Sequence, residues 1–337
     1  MSVTIKDIAK QAGVSYSTVS KALRNSPLVK EDTKKKILSI AKELGYQPNV
    51  AARSLVSKKS WTVGVMWPTV ERVAPSTLIT KINEEFEKHS YTTLVSINKI
   101  DTAIETFHRF QVDAILVFYD RDDINIESFT QPLNIPILYY GIAGSAPFPT
   151  IDVNRKKAIR LAVDHLTELG HKNIAYIGDL AERDLFQIEK VKSFIESIQL
   201  RGIELRPDMI AQINGLESHD GYLAARNMLQ KKQRPTAIIS ASYDLTRGIL
   251  RAINEAGLNI PKDISIVSYD NIPQMKNLVV PVTIVGVELT DISNKITEVL
   301  LQMIESKEVP AAIYLEPELV VRNSSAPPKN VVSSRRG

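Results

Sequence analysis

The apolar residues of this chain change period once. Near the start they recur at helical spacing: Ile5, Ile8, Ala9 and Ala12, then Val19, Ala22 and Leu23, then Ile37, Ile40, Ala41 and Leu44. Each set follows the i, i+3, i+4 pattern of one buried face, so three short helices are predicted. Thr4 with Asp7 three residues on forms a capping-box-like start, with Asp in place of the usual Glu, and Ser15 is a good N-cap for the second helix. Between them Ala12-Gly13-Val14 leaves room for a very short turn, in which Gly13 can take the left-handed conformation. Two helices joined this tightly read as a helix-turn-helix, the alternative being an ordinary helical hairpin. The third helix is predicted over about Glu31–Leu44, stopped by Gly45.

From Trp61 onward the apolar runs have strand length. They are Thr62–Trp67, Tyr91–Ile97, Asp113–Phe118 and Ile135–Tyr140, with helical segments near 76–90 and 101–110 separating the first three. The alternation then repeats: strand Asn173–Gly178 before a helix near 186–200, Met209–Ile213 before one near 218–230, Ala237–Ala241 before one near 244–256, and a final strand Ile264–Tyr269. Alternating strands and helices imply parallel sheets covered on both faces. The predicted class is an α-helical helix-turn-helix headpiece plus α/β, with two doubly wound parallel-sheet subdomains of the type I periplasmic-binding-protein kind.

The polar positions sharpen the reading of the head. The outward residues of the second helix, Tyr16, Ser17, Ser20 and Lys21, are hydrogen-bonding groups of the kind that read base edges in a major groove. Charge agrees. Residues 1–60 hold twelve Lys/Arg against four Asp/Glu, a formal +8, while the whole chain is +4 and the remainder therefore −4. A basic head on a mildly acidic body points to a polyanion partner for the head alone. Lys34-Lys35-Lys36, on the polar side of the third helix, are either phosphate-facing or merely solvated. Asn49 can cap a helix of two turns at most, too short to be stable alone in water, and its Ala51, Ala52, Arg53 and Leu55 suit a minor-groove wedge or a plain linker helix.

Other classes fall away. The chain has 337 residues and no cysteine, which removes disulfides, zinc-thiolate sites and cysteine nucleophiles and fits a reducing, cytoplasmic compartment. There is no bilayer-length apolar run and no signal-peptide core at residues 1–20, so no membrane role is expected, and a stand-alone sugar-binding transport protein is disfavoured. No G-x-G-x-x-G, G-x-x-x-x-G-K-[ST], G-x-S-x-G or H-E-x-x-H is present, and the five histidines lack metal-ligand spacing, His165 and His171 being expected on a surface helix and just past its end. No catalytic residue, metal or cofactor is expected.

Residues 3–60 resemble the DNA-binding headpiece of the LacI/GalR family of bacterial transcription regulators. The matching motifs are Ile5-Lys6-Asp7-Ile8-Ala9, Ala12-Gly13-Val14-Ser15, Ser17-Thr18-Val19-Ser20, Leu44-Gly45-Tyr46-Gln47-Pro48-Asn49 and Ala52-Arg53-Ser54-Leu55. The resemblance implies that Ser15, Tyr16, Ser17 and Lys21 face an operator's major groove, that Thr33 touches phosphate and that Leu55 inserts from the minor groove. The DNA-binding set is then Thr4, Ser15, Tyr16, Ser17, Thr18, Ser20, Lys21, Arg24, Thr33, Asn49, Ala52, Arg53 and Leu55. Lys21 replaces the family's arginine, giving a point charge instead of a fork. Lys30 replaces a serine cap, so the start of the third helix is expected to fray.

Most of residues 61–323 resembles the family's effector domain, through Ala162–Ala175, Gly257–Val267, Tyr269-Asp270-Asn271 and Leu315–Arg322. The implied organisation is a headpiece over 1–48, a hinge helix and linker over 49–60, and an effector-binding and dimerisation domain over 61–323. Within that domain an N-subdomain takes about 61–158 and 287–316, and a C-subdomain about 159–286 and 317–323, with chain crossings near 157–160, 286–290 and 316–318. A disordered tail, 324–337, lacks the leucine-heptad helix of tetrameric members, so a homodimer on a pseudo-palindromic operator is expected. Family-equivalent cleft positions are Ser76, Lys156, Lys190, Leu216, Ser242 or Tyr243, Asp270 and Glu288. Asp270 is the leading candidate, either holding two hydroxyls or capping a helix.

Several positions depart from a plain sugar site. Ser242-Tyr243, or Tyr243-Asp244 with one deletion, replaces an Asn-Asp pair, Lys190 stands for a hydroxyl-clamping arginine, and Leu216 is a smaller platform than tryptophan. Arg155-Lys156-Lys157 fills a turn that more often contains glycine, and Asn98–Val112 is shorter than the family's segment. The expected function is a dimeric DNA-binding repressor controlled by a carbohydrate-type effector, a sugar acid or sugar phosphate being favoured by Lys156 and Lys190. The alternative is a regulator of the catabolite-control type that responds to a phosphorylated partner protein.

Overall fold

The computed structural model describes residues 3–23, 25–46, 59–67, 69–118, 135–141, 148–180 and 184–329. The chain divides into two units, Met1–Ser60 and Trp61–Gly337. In the first, α1 (Ile5–Ala12), α2 (Tyr16–Leu23) and α3 (Glu31–Glu43) close around Ile8, Val19 and Ile37, the apolar positions of the three helical faces. Gly13 makes the turn between α1 and α2 at φ +71°, with its own N–H and that of Val14 both donating to the Ala9 carbonyl. Nothing stands within 4 Å of where its Cβ would lie, so the dihedral angle alone demands glycine.

Two expectations about α3 need correction. Lys30 supplies no side-chain cap, yet the helix begins at Glu31 as a regular element. Lys34 is neither phosphate-facing nor solvated: it is 8% exposed, donating to Asn25 Oδ1 at 3.0 Å and pairing with Glu31 at 3.5 Å. Lys36 donates to the Ala12 carbonyl at 3.0 Å and so ties α3 to the turn.

The second unit opens with β1 (Thr62–Met66), α4 (Val73–Lys88), β2 (Thr92–Ser96), α5 (Ile100–Arg109), β3 (Ala114–Phe118), β4 (Ile137–Tyr140) and β5 (Thr150–Val153). Then come α6 (Arg155–Glu168), β6 (Ile174–Asp179), α7 (Leu185–Leu200), β7 (Ile210–Ile213), α8 (Ser218–Leu229), β8 (Ala237–Ser240), α9 (Tyr243–Glu255) and β9 (Ser265–Asn271). The strand expected to be final is followed by β10 (Thr283–Glu288), α10 (Leu289–Ile304), β11 (Ala312–Leu315) and β12 (Glu318–Val320). One sheet runs β11-β5-β4-β3-β1-β2, all parallel; the other runs β12-β10-β9-β8-β6-β7, parallel except for antiparallel β12.

The chain passes between the sheets three times. It leaves β5 in the first sheet for α6, which packs against α7 and β10 of the second. It returns after β10 through α10, which packs on α4, and crosses again between β11 and β12. The first crossing comes at Val153–Arg155, ahead of the expected 157–160, because Asn154 accepts from the Lys157 N–H and starts α6 at Arg155. On the second sheet, α8 and α9 approach so closely that a Cβ on Gly248 would stand 1.8 Å from the Ser218 carbonyl oxygen.

The tail is also corrected. Residues 324–329 are packed along the second sheet. Ser324 is fully buried, its hydroxyl donating to the Ile266 carbonyl at 2.6 Å and accepting from the Thr283 N–H at 2.7 Å. His165 and His171 hold this segment and are not surface groups, since His165 Nε2 meets Ser325 Oγ at 2.8 Å and His171 Nε2 meets the Ala326 carbonyl at 2.9 Å. Burial holds both imidazoles below their ordinary pKa. Among the described residues no helix is long and apolar enough to cross a membrane.

Candidate nucleic-acid interface and effector cleft

The head presents one helix outward. Val19 and Ala22 fix α2 on the core, which turns Tyr16, 55% exposed, and Ser17 to solvent with Lys21 half-buried beside them. Ser15 is exposed just before the helix, where its hydroxyl accepts the Thr18 N–H at 3.1 Å and meets Thr18 Oγ1 at 2.9 Å. It therefore orders the first turn of the helix that it begins. Thr4 is likewise exposed but engaged, since Asp7 accepts from both its N–H (2.8 Å) and its hydroxyl (2.7 Å). These bonds hold the Asp7 carboxyl below its ordinary pKa. Thr18, Ser20 and Thr33 are half-buried. Arg24, Asn49, Ala52, Arg53 and Leu55, with the hinge helix itself, lie outside the described residues.

In the second unit a cavity of about 100 Å³ lies between the two sheets. Of the eight cleft residues expected from sequence, Lys190 and Asp270 line it. The other six are placed elsewhere. The Ser76 hydroxyl donates back to the Arg72 carbonyl at 2.7 Å, and Lys156 is exposed, contributing only a carbonyl that accepts from Ser193. Leu216 packs half-buried against the core. Ser242 is buried as the N-cap of α9, accepting from the Leu245 N–H, and Tyr243 follows it into that helix. Glu288 is exposed at the start of α10.

Asp270 has the helix-capping role of its two expected alternatives, and it also lines the cavity. One carboxylate oxygen accepts the Tyr243 N–H at 2.8 Å and so caps α9, while the residue lines the cavity at an unusual φ of +91°. Lys190 is 3% exposed. Its Nζ donates to the Ala241 carbonyl at 3.0 Å and sits 3.8 Å from the Tyr269 ring centroid. Burial depresses it to about 8, against the pull of Asp270 and Asp184.

Sequence reasoning missed Arg155, Arg72 and Gln187. Because α6 starts at Arg155, the first residue of the basic triplet turns inward while Lys156 stays outside. Its guanidinium is buried, 2.6 Å from Asp152 and 3.4 Å from Glu189, and stacks 4.0 Å from the Phe186 centroid. Gln187 lies one turn before Lys190 on α7, a spacing legible only once one of the pair is known to face the cleft. Arg72 precedes α4 and carries no sequence signal of its own. The halves also bond directly across the cleft: the Val73 N–H donates to Asp244 Oδ2, and Gln274 Nε2 to Thr77 Oγ1, each at 3.3 Å. No group of three or more His, Asp and Glu among the described residues could hold a metal.

Known proteins share both units. Residues 4–49 match the model of the bacterial regulatory proteins of the lacI family, and 163–325 a periplasmic binding protein-like domain. Catabolite control protein A of Priestia megaterium is 30% identical over 301 residues, 85% of this chain and 90% of that one. The HTH-type transcriptional regulator AglR of Rhizobium meliloti is 30% identical over 342 residues, 97% and 95% of the two chains. A crystal structure of the Lac repressor dimer bound to operator and the anti-inducer ONPF superposes with a TM-score of 0.83 at 26% identity, covering 97% of this chain and 100% of that one. With a basic helix-turn-helix head, a two-sheet cleft and full-length relatives of this kind, the chain belongs to the LacI family of bacterial regulatory proteins and is a DNA-binding transcription regulator.

Proposed function

We propose that the chain is a cytoplasmic, dimeric repressor whose grip on an operator is set by a small anionic effector in the cleft. The observation that carries the DNA half is the row of exposed Ser15, Tyr16 and Ser17, with half-buried Lys21 beside them, on the outer face of a compact basic head. A helix held this way offers donors and acceptors to a major groove. The dimer and the repressor role are supported by likeness to a Lac repressor solved as a dimer on operator. Asn49, Ala52, Arg53 and Leu55 enter this reading from sequence alone, as a hinge helix ordered on DNA with Leu55 as its wedge.

The effector half rests on Lys190, a buried cation with no ion pair among the described residues. A buried charge without an ion pair is costly, so an anion is the ligand that this cation favours. The likeness to catabolite control protein A raises a second reading, in which a phosphorylated partner protein binds instead. Lys190 argues against itself as that contact, because at 3% exposure it is beyond reach of another protein's surface.

Selection of DNA from a random pool by the full chain tests the proposal. The selected sites are expected to be pseudo-palindromic, and log affinity to fall with log salt by about 0.9 per neutralised phosphate. Lys21→Ala is expected to cost about tenfold in affinity. Salt-independent binding, or selected sites without two-fold symmetry, would contradict it.

A further inference from the structure

The lining of the cleft is divided in two, and the division describes a ligand. Its uncommitted polar groups gather around Lys190. Gln187, one turn away on α7 and 2% exposed, has a buried carbonyl oxygen without a partner. Arg72, close enough to Lys190 to act on its charge, has a buried Nε without a partner. The remaining polar residues are largely spoken for: Arg155 is paired with Asp152 and Glu189, Asn271 donates to Glu318, and one oxygen of Asp270 holds Tyr243. The rest of the wall is apolar and ringed. Phe118 stands 5.5 Å from Tyr140 and meets Phe186 edge-on at 5.9 Å, with Leu78, Leu289 and Ile292 completing the surface.

A polyol fits this wall poorly. Each ring hydroxyl taken from water needs a partner, and among these wall residues Tyr140 alone carries a hydroxyl. A sugar phosphate adds three acceptor oxygens to that demand. The space is small, about 100 Å³ with one side open, which favours a compact ligand over a bulky one. Taking the cleft as the effector site, we infer that its ligand is a compact monocarboxylate with a planar apolar body and one hydrogen-bond donor. The carboxylate lies on Lys190 and Arg72, the ring packs between Phe118, Tyr140 and Phe186, and the donor reaches the Gln187 carbonyl.

Titration calorimetry on the full chain tests this with six probes: 4-hydroxybenzoate, benzoate, benzyl alcohol, glucuronate, glucose 6-phosphate and glucose. The two aromatic acids are expected to bind saturably, 4-hydroxybenzoate more tightly, and benzyl alcohol about 30-fold more weakly than benzoate, the size of one lost charge-assisted hydrogen bond. Lys190→Met should weaken both acids by a similar factor with an unchanged circular dichroism spectrum. Gln187→Leu should erase the preference for 4-hydroxybenzoate while retaining benzoate. Glucuronate or glucose 6-phosphate binding through Lys190, with the aromatic acids silent, would overturn the apolar body and leave the anionic cleft standing. Glucose binding alone would overturn both. Silence from all six, or aromatic-acid binding indifferent to Lys190→Met, also overturns the assignment.

Discussion

The reading helix of the head and the cleft of the body keep their chemistry in opposite ways. In the head the candidate reading side chains are exposed or half-buried, and the bonds that order its first two helices are local: Thr4 with Asp7 at α1, Ser15 with Thr18 at α2. In the cleft the candidate side chains are buried or half-buried and drawn from distant segments, with Arg72 before α4, Arg155 at the start of α6, Lys190 on α7 and Asp270 at the end of β9. An exposed side chain keeps its water until DNA arrives and costs little meanwhile. The buried Lys190 ammonium holds one neutral carbonyl and the face of Tyr269, so it costs stability while it stays charged. One surface is open, the other enclosed.

The largest expected effect separates the two units by stability. Gly248→Ala places a methyl group against the Ser218 carbonyl, which can be relieved only by moving α8 away from α9. A loss of about 4 kcal/mol is expected for the body, at the high end for overpacking because the obstacle is backbone. The head has its own core around Ile8, Val19 and Ile37. Urea unfolding should therefore show an early body transition and an unmoved head transition. A single transition shifted as a whole would break the contrast.

Lys190 sharpens the comparison next. Its folded pKa, about 8, lies below the ordinary lysine value of 10.5, so between these values the unfolded chain binds more protons. The burden of the buried charge is thus fully present below pH 8 and fades as pH rises toward 10.5. The shift corresponds to about 3 kcal/mol, and losing the Ala241 bond offsets about 1 of it. Lys190→Met should therefore make the ligand-free body more stable than the native protein at pH 7 by about 2 kcal/mol, with the gap closing by pH 10.5. Denaturation at several pH values checks this, and a variant less stable at pH 7 would show that the ammonium is already well partnered.

The same contrast explains what the sequence could say. The head was legible because its signals are short-range: a 3.6-residue period, a cap, a glycine turn. Lys34 escaped because Asn25, nine residues away, folds its ammonium inward. In the body, strand-length apolar runs located β1 to β4 and β6 to β9, but β10 to β12 were lost among crossings. The cleft depended on single-residue phase: Asn154 starts α6 one residue ahead of Lys156, and Arg155 is buried in its place. Ser324 and its neighbours looked like a loose polar tail because hydroxyls that bond the ends of interior strands are indistinguishable in sequence from hydroxyls in solvent.

The smallest effect falls on the head and asks whether its local bonds and its reading surface are separable. Ser15 is both the cap of α2 and a residue expected to face DNA. Ser15→Ala removes the acceptor for the Thr18 N–H and should destabilise the head by about 1 kcal/mol. Ser15→Asp keeps an acceptor there and adds a charge favourable to the helix dipole, so head stability should be kept or raised. Toward a phosphate backbone the same charge is repulsive, and affinity should fall further than in Ser15→Ala. Thermal unfolding of the head and gel shifts on selected DNA would then rank the variants in opposite orders, Asp above Ala in stability and below it in binding. If both measurements rank them alike, Ser15 acts on DNA only through the helix it caps, and the head, like the cleft, reads its ligand through what holds it in shape.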